Sequence, residues 1–142
     1  MTRRFHAEGI SFRYPDDCQL EREESESGWT VSVHSPGTAF AVVSYDGNMP
    51  TTEEVAETTL EALRDDYPEL EATPRVDTLA GQMAVGHDIN FFSLDLTNTC
   101  WTRSIYSDTG TLLVLCQVSD LDLDDYGPAL RAICSSLKVE EE

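Results

Sequence analysis

The residues of this chain with the chemistry to hold a ligand are Trp101 and Arg103, His87, and the alternating aspartates Asp120, Asp122 and Asp124. Trp101 and Arg103 are two apart in a strand-like run, so they share one face. With Phe92 or Tyr106 they would line a groove, and arginine is the residue with which an otherwise acidic protein holds an anion. The plainer reading is an aromatic packed on a sheet with an arginine lying over it. His87 falls on the apolar side of its run, where a buried, hydrogen-bonded histidine is a commoner outcome than a ligand or base. Its neighbour Asp88 points to the opposite face, so adjacency does not make the two a catalytic couple. His6, in an N-terminal tail, and His34, at a strand end, have no companions at metal-binding spacing.

Asp120-x-Asp122-x-Asp124 matches the first three ligand positions of an EF-hand loop, whose carboxylates alternate to wrap a calcium ion. The match then fails, because Asp125 stands where the sharp turn needs glycine and Arg131 where a bidentate glutamate is needed. The competing reading is that these aspartates sit at the positive end of the last helix, worth about 0.3–1 kcal/mol each. Of the four cysteines, Cys100, Cys116 and Cys134 read as small core hydrophobes and Cys18 as the most exposed thiol. Cys100 and Cys116 flank a hairpin turn whose register decides whether they face each other or are offset by one. With no C-x-x-C pair and irregular spacing, neither a zinc site nor any other cofactor is indicated. G-x-S-x-G, phosphate-loop, G-x-G-x-x-G and H-E-x-x-H motifs are all missing.

Nine Lys and Arg against 27 Asp and Glu give a net charge of −18, and Lys138 is the sole lysine. Such a surface repels phosphate backbones and anionic lipid heads, which argues against nucleic acid and membrane surfaces as partners. It suits a salt-adapted cytosol, where self-repulsion is screened; a GC-rich genome that favours arginine codons over lysine is the blander explanation. Met1 to His6 carries two arginines with no apolar run behind them, and no segment approaches the roughly 20 apolar residues of a membrane span. The expectation is a cytoplasmic protein with reduced thiols.

The elements that position these residues follow from periodicity. Gly9 to Pro15 alternates Ile10, Phe12 and Tyr14 against Ser11 and Arg13, a half-buried strand stopped by proline. A short strand near Leu20 to Glu23 is followed by the Trp29-Val31-Val33 alternation. Ser35-Pro36-Gly37-Thr38 has the composition of a type II turn, which folds Ala39 to Tyr45 back antiparallel. Thr51 and Glu54 have capping-box spacing, and Ala56, Leu60, Leu63 and Tyr67 share one face of a helix that Pro68 ends. Leu70 to Thr78 reads as a strand interrupted at Pro74. Ala80-Gly81 turns the chain into a longer strand whose odd positions, Met83 to Phe91, are the more apolar. The hairpin Thr97 to Ser119 turns at Ser107-Asp108-Thr109-Gly110, and its second run, Leu112 to Val118, is apolar on both faces, as a central strand must be. A last helix starts near Asp124 or Asp125, presents Tyr126, Leu130, Ile133 and Leu137 inward, and precedes an acidic tail, Glu140 to Glu142.

These elements describe one α+β domain over residues 1–142, an antiparallel sheet covered by helices. The Gly-Ile-Ser-Phe-Arg-Tyr-Pro strand, the helix Thr52 to Asp66, the Gly81-Gln-Met-Ala entry into a long strand and the closing helix Tyr126 to Leu137 with its Ser-Ser-Leu end resemble the PsbP-like fold family. That family includes a photosystem oxygen-evolving subunit, small regulators of the nuclear-import GTPase and bacterial secretion chaperones. The resemblance implies an α/β/α sandwich and a role in binding other proteins, usually without catalysis. It carries over no functional residue, and the basic patches of some members have no counterpart here. The expected function is that of a small acidic, non-enzymatic binding or adaptor domain with a protein partner. The alternatives are a small-ligand protein or enzyme with a pocket near Trp101, Arg103 and His87, and a divalent-ion protein through Asp120, Asp122 and Asp124.

Overall fold

The computed structural model describes residues 1–140; Glu141 and Glu142 of the predicted acidic tail lie outside the described residues. In chain order the elements are β1 (Thr2–Ala7), β2 (Ile10–Pro15), β3 (Gln19–Glu24), β4 (Gly28–His34), β5 (Phe40–Asp46), α1 (Thr52–Asp66), β6 (Glu71–Leu79), β7 (Gln82–Ser93), β8 (Leu96–Tyr106), β9 (Thr111–Ser119), α2 (Leu123–Ser136) and β10 (Lys138–Val139). Seven strands form one antiparallel sheet in the order β3-β4-β5-β9-β8-β7-β6, and β1, β2 and β10 form a second. The doubly apolar run Leu112 to Val118 lies in β9, with three strands on either side of it.

Pairing register sorts side chains into two faces. Trp101 pairs with Cys116 and Cys116 with Ala41, and this face packs under α2 and the small sheet through Phe12, Trp29, Val43, Leu130 and Ile133. Ile89 pairs with Cys100, and with Leu60, Leu70 and Phe91 they build a smaller core under α1. Helices thus cover both faces of the large sheet in an α/β/α sandwich. The α1 start follows its capping sequence, with the Glu54 N–H donating to Thr51 Oγ1 at 3.1 Å.

Four local features differ from the sequence reading. His6 lies not in a tail but in β1, which pairs along its whole length with β2. β6 continues through Pro74, tolerated because β6 is an edge strand and the missing N–H faces no partner strand. β7 and β8 are joined at Leu94-Asp95, where both residues take positive φ (53° and 63°) without glycine. The β4–β5 hairpin forms as anticipated, yet Gly37 does not adopt the positive φ that a type II turn requires.

Candidate functional site: a cavity between α2 and the sheet edge

α2 lies over β2 and β9, and the neighbouring strands β6 to β8 extend beyond its cover. On the α2 side these strands carry Thr73, Arg75, Asp77, Asp88, Asn90, Trp101 and Arg103, where the α1 side carries His87, Ile89 and Phe91. The polar face and the flank of α2 enclose a cavity of about 780 Å³, whose helical wall is Arg131, Cys134 and Ser135. A cavity of this size is ordinary for a small organic ligand.

Its floor is organised by Arg103. The guanidinium donates from Nε to both carboxylate oxygens of Asp77 at 3.1 Å, and from Nη2 to Asp88 Oδ1 at 3.0 Å. Nη1 donates to the carbonyls of Thr102 and His87 at 2.8 and 3.3 Å. To reach Asp77 on β6 the side chain must cross β7, and the residue paired with Arg103 there is Gly86. A Cβ at Gly86 would stand 1.8 Å from the Thr102 carbonyl oxygen, so the crossing point admits no side chain. Arg75 also donates to Asp88, at 2.8 Å. Burial alone would push the Asp88 carboxyl up, but hydrogen bonds from Arg103 and Arg75 and their charges hold it below the usual carboxylate range.

Arg131 differs from the other two arginines. Its guanidinium sits 4.8 Å from the centre of the Trp101 ring, and among the described residues no carboxylate lies within ion-pair distance of it. Of the three cavity arginines it is the one with no carboxylate partner among the described residues, which leaves its charge uncompensated for an anionic ligand. One turn further along α2, Cys134 Sγ lies 3.6 Å from Cys116 Sγ of β9. Hydrogen bonding from Cys116 lowers the Cys134 thiol, against the effect of its burial; the Trp101 indole and the charges of Arg131 and Arg103 act in the same direction as Cys116. Cys116 is correspondingly pushed well above the ordinary thiol range.

Trp101 and Arg103 therefore come together, as their spacing indicated, but His87 does not join them. It pairs with Thr102 on the opposite face, 5% exposed under α1, with Nε2 3.8 Å from Glu57 Oε1 and Nδ1 without a partner among the described residues. A residue next to Asp88 in a strand cannot reach the face that Asp88 occupies. Tyr106 is likewise on the α1 side, where its hydroxyl accepts from the Thr52 N–H, and Phe92 is 76% exposed beside a second, 520 Å³ cavity near Tyr67. Asp120, Asp122 and Asp124 do not converge: no group of three or more His, Cys, Asp or Glu among the described residues is placed to hold a metal ion. Asp122 occupies the N-cap position of α2, but its carboxylate turns to Thr38 instead of capping the helix.

Cys134 is half-buried and opens on the cavity, not sealed in the core. Cys100, sealed on the α1 side, is pushed up to about 12 by burial, and Cys18 to about 11 by burial and the adjacent Asp17. Sequence reasoning missed Arg75, Asp77, Asp88, Arg131 and Cys134 as cavity residues. The even positions of β7 were available as a polar face, but only the register brings β6 and α2 to it.

No family model matches the chain, and no curated protein matches it in sequence. Solved structures do match. LpqN of Mycobacterium tuberculosis, a protein involved in cell envelope biogenesis, superposes with a TM-score of 0.59 at 15% identity, over 99% of this chain and 92% of LpqN. The Pseudomonas aeruginosa protein PA94, of unknown function, gives 0.58 at 17% identity over 99% of both chains. Cyanobacterial PsbP (CyanoP) of Synechocystis gives 0.56 at 11% identity, over 98% of this chain and 92% of CyanoP. The fold is PsbP-like. At such identities the PsbP-like backbone is what the proteins share, and the Arg131–Trp101–Arg103 cavity has to be interpreted from this chain's own residues.

Proposed function

We propose that this PsbP-like domain is a binding protein whose ligand is a small organic anion held in the α2 cavity. The observation that carries the reading is the placement of Arg131. In a chain with nine basic residues and a net charge of −18, three arginines line one cavity, and the one stacked on Trp101 has no carboxylate partner among the described residues. A carboxylate or phosphate monoester bidentate to Arg131, with an apolar body over the polar-rimmed floor, satisfies that geometry. Calorimetric titration with benzoate, naphthoate and phenyl phosphate tests it. Saturable binding lost in Arg131→Gln is expected, and no saturation by any of the three, or binding indifferent to that substitution, sinks it.

A second reading, docking of another protein along β6, is favoured by the exposure of Val76 (67%) and Met83 (66%) on the α1 side of the sheet edge. Edge strands offer unpaired backbone groups to an incoming strand, and apolar side chains beside them add affinity. A partner retained at physiological salt by the natural chain and lost by Val76→Asp would support this. Both readings take the protein as cytoplasmic. Among the described residues no helix is long and apolar enough to cross a membrane.

A further inference from the structure

We infer that Cys134 and Cys116 form a redox-active dithiol in the wall of the cavity, with Cys134 the attacking thiol, Cys116 the resolving thiol and a small hydroperoxide the oxidant. The two sulfurs lie 3.6 Å apart, in contact, one on β9 and one on α2. Side-chain rotation has to close that gap to the bonded length of about 2.05 Å. Their surroundings are unequal. Cys116 is fully buried and meets Cys134; Cys134 is half-buried and opens on the cavity. A solute in the cavity can touch one sulfur, and the second sulfur can touch only the first.

The charged and polar groups around Cys134 favour its thiolate. Arg131 precedes it by one helical turn, the charge of Arg103 on β8 acts in the same direction, the Trp101 indole lines the same cavity, and the Cys116 thiol lies in hydrogen-bond contact. Burial and the negative carbonyl end of α2, whose last turn contains Cys134, oppose them. Cys134 is nevertheless held below the ordinary thiol value. Cys100 and Cys18 have no such surroundings: one is sealed on the other face of the sheet, and the other sits beside Asp17.

The chemistry balances as follows. The Cys134 thiolate attacks the distal oxygen of a hydroperoxide; the S–O bond forms, the O–O bond breaks, and the departing alkoxide takes a proton to leave as an alcohol. Sulfur is oxidised by two electrons to a sulfenic acid. Cys116 sulfur then attacks Cys134 sulfur, the S–S bond forms, the S–O bond breaks, and hydroxide leaves with the Cys116 proton as water. The net change is two thiols and one hydroperoxide to one disulfide, one alcohol and one water. Arg131 is positioned to donate to the departing oxygen.

The test uses the reduced full chain, cumene hydroperoxide and intact-mass spectrometry with peptide mapping. Loss of two hydrogens assigned to a Cys116–Cys134 disulfide is expected, formed about tenfold faster than free cysteine reacts at pH 7. Cys116→Ser should halt at a sulfenic acid trapped by dimedone on Cys134, and Cys134→Ser should consume no peroxide. Arg131→Gln keeps both thiols and should slow the reaction, so the inference stays testable even if a cysteine variant fails to fold. Oxidation at Cys18 or Cys100 first, peroxide consumption by Cys134→Ser at the natural rate, or an unchanged rate in Arg131→Gln would overturn it.

Discussion

The Asp122 carboxylate accepts from both the backbone N–H and the hydroxyl of Thr38, at 2.7 and 2.6 Å, tying the start of α2 to the turn between β4 and β5. The contact requires glycine at position 37, since a Cβ there would come within 2.7 Å of Asp122 Oδ2. Gly37→Ala should therefore lower the melting temperature in the natural chain and cost much less in an Asp122→Ala background. Residues that share one contact give non-additive effects, whereas unrelated ones add. A double-mutant cycle read by thermal unfolding checks this, and additive effects would show that the turn glycine acts independently of Asp122. The Thr38 hydrogen bonds also hold the Asp122 carboxyl below its usual value, so their stabilisation is complete above the unfolded carboxylate pKa and is lost as pH falls through the folded one.

Arg103 is the main constraint on the cavity floor. Its side chain is 12% exposed and its neighbours Asp77 and Asp88 depend on it for compensation. Arg103→Met should cost about 1–3 kcal/mol, the range for charged hydrogen bonds lost at a mostly buried site. The sign of the pH effect follows from Asp88, whose folded pKa is depressed. Its contribution is fully present above the unfolded value of 3.8 and is lost as pH falls from there through the lower folded value. Denaturant titrations at pH 7 and pH 3 should show the penalty of Arg103→Met shrinking at the lower pH. A penalty equal at both would mean that the arginine acts through packing and not through its carboxylates.

Gly86 gives a sharper structural test. A Cβ there would stand 1.8 Å from the Thr102 carbonyl oxygen and 3.1 Å from the Arg103 Cα, so β7 and β8 would have to separate. Gly86→Ala should destabilise by several kcal/mol, among the larger effects of a single substitution. In contrast, Gly81→Ala, whose Cβ would meet nothing within 4 Å, bears only the strain of φ 79°. Comparing the two unfolding midpoints checks this, and a Gly86→Ala effect no larger than that of Gly81→Ala would contradict the close approach.

The fold was readable because its signals are local and periodic. The alternation in β4, the Thr51 cap and the doubly apolar Leu112 to Val118 each depend on a few adjacent residues, and the structure places them in a sheet strand, a helix start and the central strand. The cavity was readable only in its β8 component. Trp101 and Arg103 share a face by spacing alone, but Asp77 reaches Arg103 across an intervening strand, and Arg131 comes from a helix whose placement no short-range pattern encodes. His87 joins them in the sequence only by residue type, and it is the pairing of Asp88 with Trp101 that turns it to the other face. The non-glycine turn at Leu94-Asp95 left no signal of the kind that marks Ala80-Gly81.

His87 supplies a prediction in the opposite direction. Its Nδ1 is buried without a partner among the described residues, and Nε2 reaches only to 3.8 Å from a solvent-exposed Glu57 carboxylate. A buried polar atom left unsatisfied costs about 1–3 kcal/mol, while an apolar group of similar volume in the same place costs nothing of that kind. His87→Leu should leave stability unchanged or raise it, and should leave any ligand binding in the α2 cavity intact, because the side chain faces α1. A fall in melting temperature of several degrees would mean that the imidazole makes a bond which its surroundings in this fold do not reveal.

Charge sets the last expectation. With 27 acidic residues and nine basic ones, and with Arg22, Arg75 and Arg103 the arginines paired to carboxylates among the described residues, most carboxylates have no arginine partner there. Raising KCl from roughly 0.1 M to about 1 M shortens the screening length from about 10 Å to about 3 Å, which removes repulsion between exposed charges more than it weakens the largely buried Arg103 pairs. Unfolding midpoints should therefore rise steeply with KCl at pH 7. Near the isoelectric point of about 4.2 the same titration should be much flatter, because protonation has already removed the repulsion. A flat response at pH 7 would assign the scarcity of lysine to codon composition, and a response equally steep at both pH values would assign the stabilisation to salt acting on apolar burial.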